Sequence, residues 1–71
     1  MYRIEVKRGA DEAPRFYVNG ELAGKTIGDV RKFVVGPTNN AVAMACRRAK
    51  KDGPVVFRMT FLGWYLRNDK P

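Results

Sequence analysis

The chain has 71 residues, 45% of them hydrophobic, with eight aromatics and a formal net charge of +7. That length makes one small domain, 1–71, able to bury only about 60% of the surface its unfolded chain exposes. The apolar content excludes a disordered chain, and one Cys with no His excludes both an internal disulfide and a Cys/His zinc site.

In chain order, Tyr2, Ile4 and Val6 alternate with Arg3, Glu5 and Lys7, the period of a half-buried strand. A loop, GADEAP, separates it from a second strand, RFYV. The pair Asn19-Gly20 then suits a type I′ turn, because both central residues must take positive φ. Glu21 to Ala23 completes an antiparallel meander. Thr26 and Asp29 have the spacing of a capping box, and Ile27, Val30 and Val34 follow at helical spacing, so a short helix is expected from Thr26 to about Val34.

The segment GPTNNAVAMACRRAKKDGP has the punctuation of a second helix, Thr38 to Lys51, with Gly-Pro on both sides and Thr38 or Asn39 as cap. Val42, Ala45, Cys46 and Ala49 form its buried stripe. Beyond Gly53-Pro54, PVVFRMTFLGWYLR reads as strand, with Val55, Phe57, Met59 and Phe61 opposite Val56, Arg58 and Thr60. Gly63 marks a bulge or a tight hairpin turn, and residues 68 to 71 read as a frayed tail.

Charge is unevenly placed. Residues 1–35 carry seven Lys/Arg against five Asp/Glu, and residues 36–71 seven against two, so the second half holds most of the excess. Such an imbalance favours a polyanionic partner and argues against an acidic DNA mimic. Polar residues interrupt the N-terminus and no apolar run approaches about 18 residues, so neither a signal peptide nor a membrane span is expected. The corresponding expectation is a cytoplasmic protein.

Chemistry-bearing motifs are few. NGELAGKT nearly matches the phosphate-binding G-x-x-x-x-G-K-[ST], but Asn19 stands where Gly is required, and a hairpin turn followed by a helix cap explains the same residues. Gly20, Gly24 and Gly28 have GxxxG spacing, which matters in apolar membrane helices and not in this polar segment. There is no His or Ser, and Cys46 lies on a buried stripe, so no enzyme, cofactor or metal is expected. Asp11 and Glu12 read as a solvated turn.

What remains is a short helix, a tight connection and a second helix with polar and basic residues outward. A helix-turn-helix presents its second helix to the major groove. Asn39 and Asn40 stand at the N-terminus, where an Asn amide can bond an adenine edge twice or simply cap the helix. Met44 suits a thymine methyl, and Arg47, Arg48, Lys50, Lys51 and Arg58 suit phosphate or guanine. Phe16, Tyr17, Phe57, Phe61, Trp64 and Tyr65 are interleaved as in a stacking platform for single strands, although most aromatics in a domain this size are core; Trp64 and Tyr65, at the Gly63 interruption, are the pair expected to be exposed.

The stretch from Thr26 through Trp64 resembles the small helix-turn-helix modules of bacteriophages and mobile elements, including those appended to homing endonucleases, that carry a β-hairpin wing. Gly36, Thr38, Val42 and Ala45 match the spacing of the turn glycine, the cap and the start of the buried face in such modules. Pro37, Met44 and Lys32 depart from it. Together with the N-terminal antiparallel meander expected from alternation, the resemblance implies an α+β domain with two helices in a helix-turn-helix-like arrangement and a C-terminal strand or β-hairpin wing. It also implies a regulatory nucleic-acid-binding protein of phage type in a bacterial host cell, duplex DNA first. The alternative is a phage-type inhibitor or adaptor that binds an acidic host protein. A homodimer through a sheet edge is compatible with either.

Overall fold

Alternation along the chain builds one five-stranded antiparallel sheet, in the order β3-β2-β1-β4-β5. The structure, a computed structural model, describes residues 1–69. The strands are β1 (Tyr2–Arg8), β2 (Pro14–Val18), β3 (Glu21–Gly24), β4 (Val55–Thr60) and β5 (Gly63–Asn68), and the helices are α1 (Ile27–Arg31) and α2 (Asn39–Asp52). The N-terminal meander is as expected, with Asn19 at φ 52° and Gly20 at φ 86° in its turn. The strands are not all N-terminal, however. β4 returns from the helices to pair with β1, so the C-terminal hairpin extends the same sheet.

The helices cover one face of the sheet. Ile4, Phe16, Val18, Val55 and Phe57 point to them and join Val30, Val34 and the α2 stripe Val42, Ala45, Cys46 and Ala49 in a single core. The stripe is the one expected. Its small side chains let α2 lie close to β1 and β4, where a larger residue would force the layers apart.

α1 is shorter than expected. Thr26 and Asp29 do form a capping box, and the Asp29 carboxylate also accepts from the Lys25 and Thr26 amides at 3.0 and 3.1 Å. These bonds hold the Asp29 carboxyl below the usual carboxylate range. The helix nonetheless stops at Arg31, because the next amides tighten to i→i−3 bonds, Lys32 to Asp29 and Phe33 to Val30. Val34 then drops into the core, and the chain leaves the helix to reach Gly36-Pro37.

Three contacts pin that connection. The Val35 amide donates to the Tyr2 hydroxyl at 3.2 Å, Pro37 is buried, and Gly36 lies against the Trp64 ring. Trp64 in turn meets Phe57 edge-on, with centroids 6.0 Å apart. Trp64 is therefore a half-buried support of the core and not half of an exposed aromatic pair.

Gly63 begins β5 after a two-residue loop, Phe61-Leu62, so the interruption is a hairpin and Phe61 leaves the face predicted for it. β1 pairs only with Val55–Phe57, whereas the β4–β5 ladder continues to Thr60 and Gly63. The distal half of the hairpin thus runs past the end of β1, carrying Phe61 and Leu62 exposed at its tip. Of the tail expected at 68–71, Asn68 ends β5 and the Asp69 amide bonds Pro54. Residues 70 and 71 lie outside the described residues.

Two tests follow from this core. Gly36 has φ 110°, and a Cβ there would stand 3.0 Å from the Trp64 ring. Gly36→Ala is therefore expected to cost about 1 kcal/mol or more in urea unfolding, whereas an unchanged midpoint would show that the Gly36–Trp64 contact is not tight. Burial pushes the Cys46 thiol from 9.0 up to about 11. Because the unfolded thiol ionises first, the stability tied to this group is complete below 9.0 and is lost as pH rises towards about 11. The fall in urea midpoint between about pH 8 and about pH 10 should accordingly be smaller in Cys46→Ala than in the parent chain.

Candidate nucleic-acid interface

α2 starts where Thr38, in extended backbone, turns its Oγ1 to accept from the Ala41 amide at 3.2 Å. It stops at Gly53, whose φ of 96° suits glycine and whose amide donates to the Ala49 carbonyl. The capping role is thus filled by Thr38, which leaves Asn39 and Asn40 exposed in the first turn. Once Val42, Ala45, Cys46 and Ala49 face the sheet, the 3.6-residue period sends Asn40, Met44, Arg47 and Lys51 outward in a line along the axis. Asn39 and Lys50 lie on one flank of that line and Arg48 on the other.

The cations on this helix are not equivalent. Arg48 leans over β5 and donates from Nη1 to the Leu66 carbonyl at 3.3 Å, so part of its role is to tie the helix to the sheet edge. Lys50 and Lys51 sit in the last turn, where a positive charge also complements the helix dipole. The ion pairs among the described residues join Arg3 to Glu5 and Asp69, Lys7 to Glu5, and Arg15 to Asp11. None of them involves α2, which leaves Arg47, Lys50 and Lys51 without a carboxylate partner there.

The structure does not bring all eight predicted residues together. Seven lie on α2, but Arg58 alternates with buried Phe57 and therefore points from β4 to the face of the sheet away from the helices. Its direct cross-strand partner there is Tyr65, and Val56 and Arg67 form the next pair. Sequence reasoning missed Arg67. The alternation Tyr65, Leu66, Arg67 would have placed it beside Arg58 once Gly63 was taken as the start of a returning strand.

Elsewhere on that open face, Lys7 stands over the Tyr17 ring at 4.6 Å, and Glu5 is held by Arg3 at 2.9 Å and Lys7 at 3.9 Å. Cations therefore outnumber carboxylates on both sides of the molecule. The near-match to a phosphate loop carries no such promise, because the Lys25 and Thr26 amides are already bonded to Asp29.

In a helix-turn-helix the two helices are joined by about three or four residues. Here α1 is a single turn, and Lys32–Thr38 separates it from α2. Val30 of α1, Val34 of the connection and Val42 of α2 all join the one core. Among the described residues no group of His, Cys, Asp and Glu is placed to hold a metal ion, and no helix is long and apolar enough to cross a membrane. Comparison with known proteins gave no match to a protein-family model, to a curated protein or to a solved structure.

Proposed function

We propose that this chain binds nucleic acid, duplex DNA first, by laying the outward face of α2 in the major groove, as a small regulatory protein of phage or mobile-element type acting in the bacterial cytoplasm. The observation that carries the reading is the exposed line Asn40, Met44, Arg47 and Lys51, flanked by Lys50 and without carboxylate partners among the described residues. An α-helix fits a major groove about 12 Å wide. With the cap already supplied by Thr38, Asn39 and Asn40 are available to an adenine edge, and exposed Met44 to a thymine methyl. Arg47, Lys50 and Lys51 neutralise phosphates, and the counterions so released drive association. Because α1 is one turn long, recognition falls to α2, with α1 and its pinned connection acting as support.

A second reading, an inhibitor or adaptor docked on an acidic protein, is favoured by one feature. Met44 is 52% exposed in the middle of the basic helix, an arrangement that also suits an apolar contact ringed by ion pairs.

Fluorescence anisotropy with labelled random duplex decides between them. The duplex reading expects binding that weakens steeply from low to near-physiological salt. Arg47→Ala with Lys51→Ala, a pair that leaves the Arg48–Leu66 bond intact, should reduce the slope of log K against log salt by about 2. Unchanged affinity and slope in that double variant would remove α2 as the contact surface, and no duplex binding even at low salt would favour the acidic protein.

A further inference from the structure

The open face of the β4–β5 hairpin holds a concave site that the α2 reading does not use. Its floor is Val56, only 7% exposed although no helix covers that side. Met1, Arg58, Thr60, Tyr65 and Arg67 surround it, and the hollow has a volume of about 470 Å³. Hollows of about 300–1,000 Å³ are the size that takes a small organic ligand. We infer that this hollow is a second binding site, for one unpaired base and the flanking phosphates of single-stranded nucleic acid.

Register supplies the first argument. Tyr65 stands directly across from Arg58, and Arg67 directly across from Val56, so ring, apolar floor and two guanidinium groups occupy adjacent rows of one sheet face. Rows on one face of a strand are roughly 7 Å apart. A base stacked on the half-exposed Tyr65 ring therefore has the Val56 floor to one side and a guanidinium group in each row to meet the backbone phosphates. Base stacking on an aromatic side chain tolerates any sequence, since every base has a π face.

Charge supplies the second. The carboxylates nearest this face are already engaged, Glu5 by Arg3 and Lys7, and Asp69 by Arg3. Among the described residues, Arg58 and Arg67 have no carboxylate partner, and no Asp or Glu lines the hollow. Beyond the Arg3–Glu5 pair, Lys7 and the Tyr17 ring lie on the same face of the sheet, which gives a longer strand a second aromatic contact past the first base. A duplex cannot use this geometry, because its base faces are covered by their stacked neighbours, whereas single strands can splay a base onto a sheet.

The test uses the whole chain with short labelled oligothymidine and oligouridine, the two arms separating a DNA from an RNA preference. Tyr65→Leu keeps an apolar side chain but removes the ring, and should weaken single-strand binding by about tenfold. Tyr65→Phe should restore it, and Arg58→Ala with Arg67→Ala should weaken it and flatten its salt dependence. At near-physiological salt all of these variants should keep the parent's urea midpoint within error and its duplex affinity, whereas Arg47→Ala with Lys51→Ala should keep single-strand affinity.

The inference is overturned if the parent chain binds neither oligonucleotide at low salt, or if Tyr65→Leu binds as tightly as Tyr65→Phe. It is also overturned if polyglutamate displaces the oligonucleotide as well as unlabelled oligonucleotide does, because charge alone would then account for binding. Single-strand binding without duplex binding would support the hollow while removing the α2 proposal, and the converse would do the reverse.

Discussion

Three residue pairs, Tyr2 with Phe57, Arg3 with Val56 and Ile4 with Val55, make the β1–β4 ladder that joins the N-terminal meander to the C-terminal hairpin. A two-stranded hairpin by itself is marginal in water, and a three-stranded meander needs something to cover its apolar side. Joined through these pairs, the two become a five-stranded sheet wide enough to carry α2, and Ile4, Val55 and Phe57 become fully buried. The same pairs shape both surfaces. On the helix side they fix the bed on which α2 lies; on the open side they bring Arg3 beside Val56 and within reach of Asp69.

What the chain discloses about itself follows the range of the interaction involved. Period-2 alternation gave β1 and β2, the Asn19-Gly20 pair gave their neighbour's turn, and the 3.6-residue stripe gave α2 with its buried residues, because each depends on atoms only a few positions apart. Thr38 and Asp29 were legible as caps for the same reason. The pairing of β4 with β1 was not, since it joins residues more than fifty positions apart, and nothing in either strand names its partner. That missing link is why Arg58 was grouped with α2 and why Arg67 was overlooked. α1 was overextended because Val34 sits at helical spacing but is buried from a non-helical segment, where helix and coil patterns coincide. Trp64 was expected outside because a glycine neighbour looks like a surface turn; in fact Gly36, far away in sequence, makes room for its ring.

The core is small, and the net charge works against it. At +7, like charges repel across a molecule whose shortest principal extent is 18 Å, and such repulsion disfavours the compact state. Among the described residues the ion pairs lie on the open face of the sheet and in the loop beside it, where Glu5 and Asp69 answer Arg3, and Asp11 answers Arg15, whereas the cations of α2 take part in none. A polyanion bound to α2 would supply the missing negative charge, and any ligand that binds only the folded chain stabilises it by mass action.

Screening also bears on how two basic faces can coexist on so small a body. The Debye length is about 10 Å at 0.1 M salt, shorter than the 18 Å extent of the molecule along its shortest axis. Near physiological ionic strength, therefore, phosphates bound on the α2 side would do little to neutralise Arg58 and Arg67 on the other, and each surface would meet a polyanion with its own field nearly intact. At low salt the fields overlap, and the two surfaces act as one attractive body towards any polyanion. The two proposed sites are therefore to be told apart where the salt is high enough to separate their fields, and by contacts that salt would not screen: those proposed for the Asn40 and Met44 side chains on one side, and for the Tyr65 ring on the other.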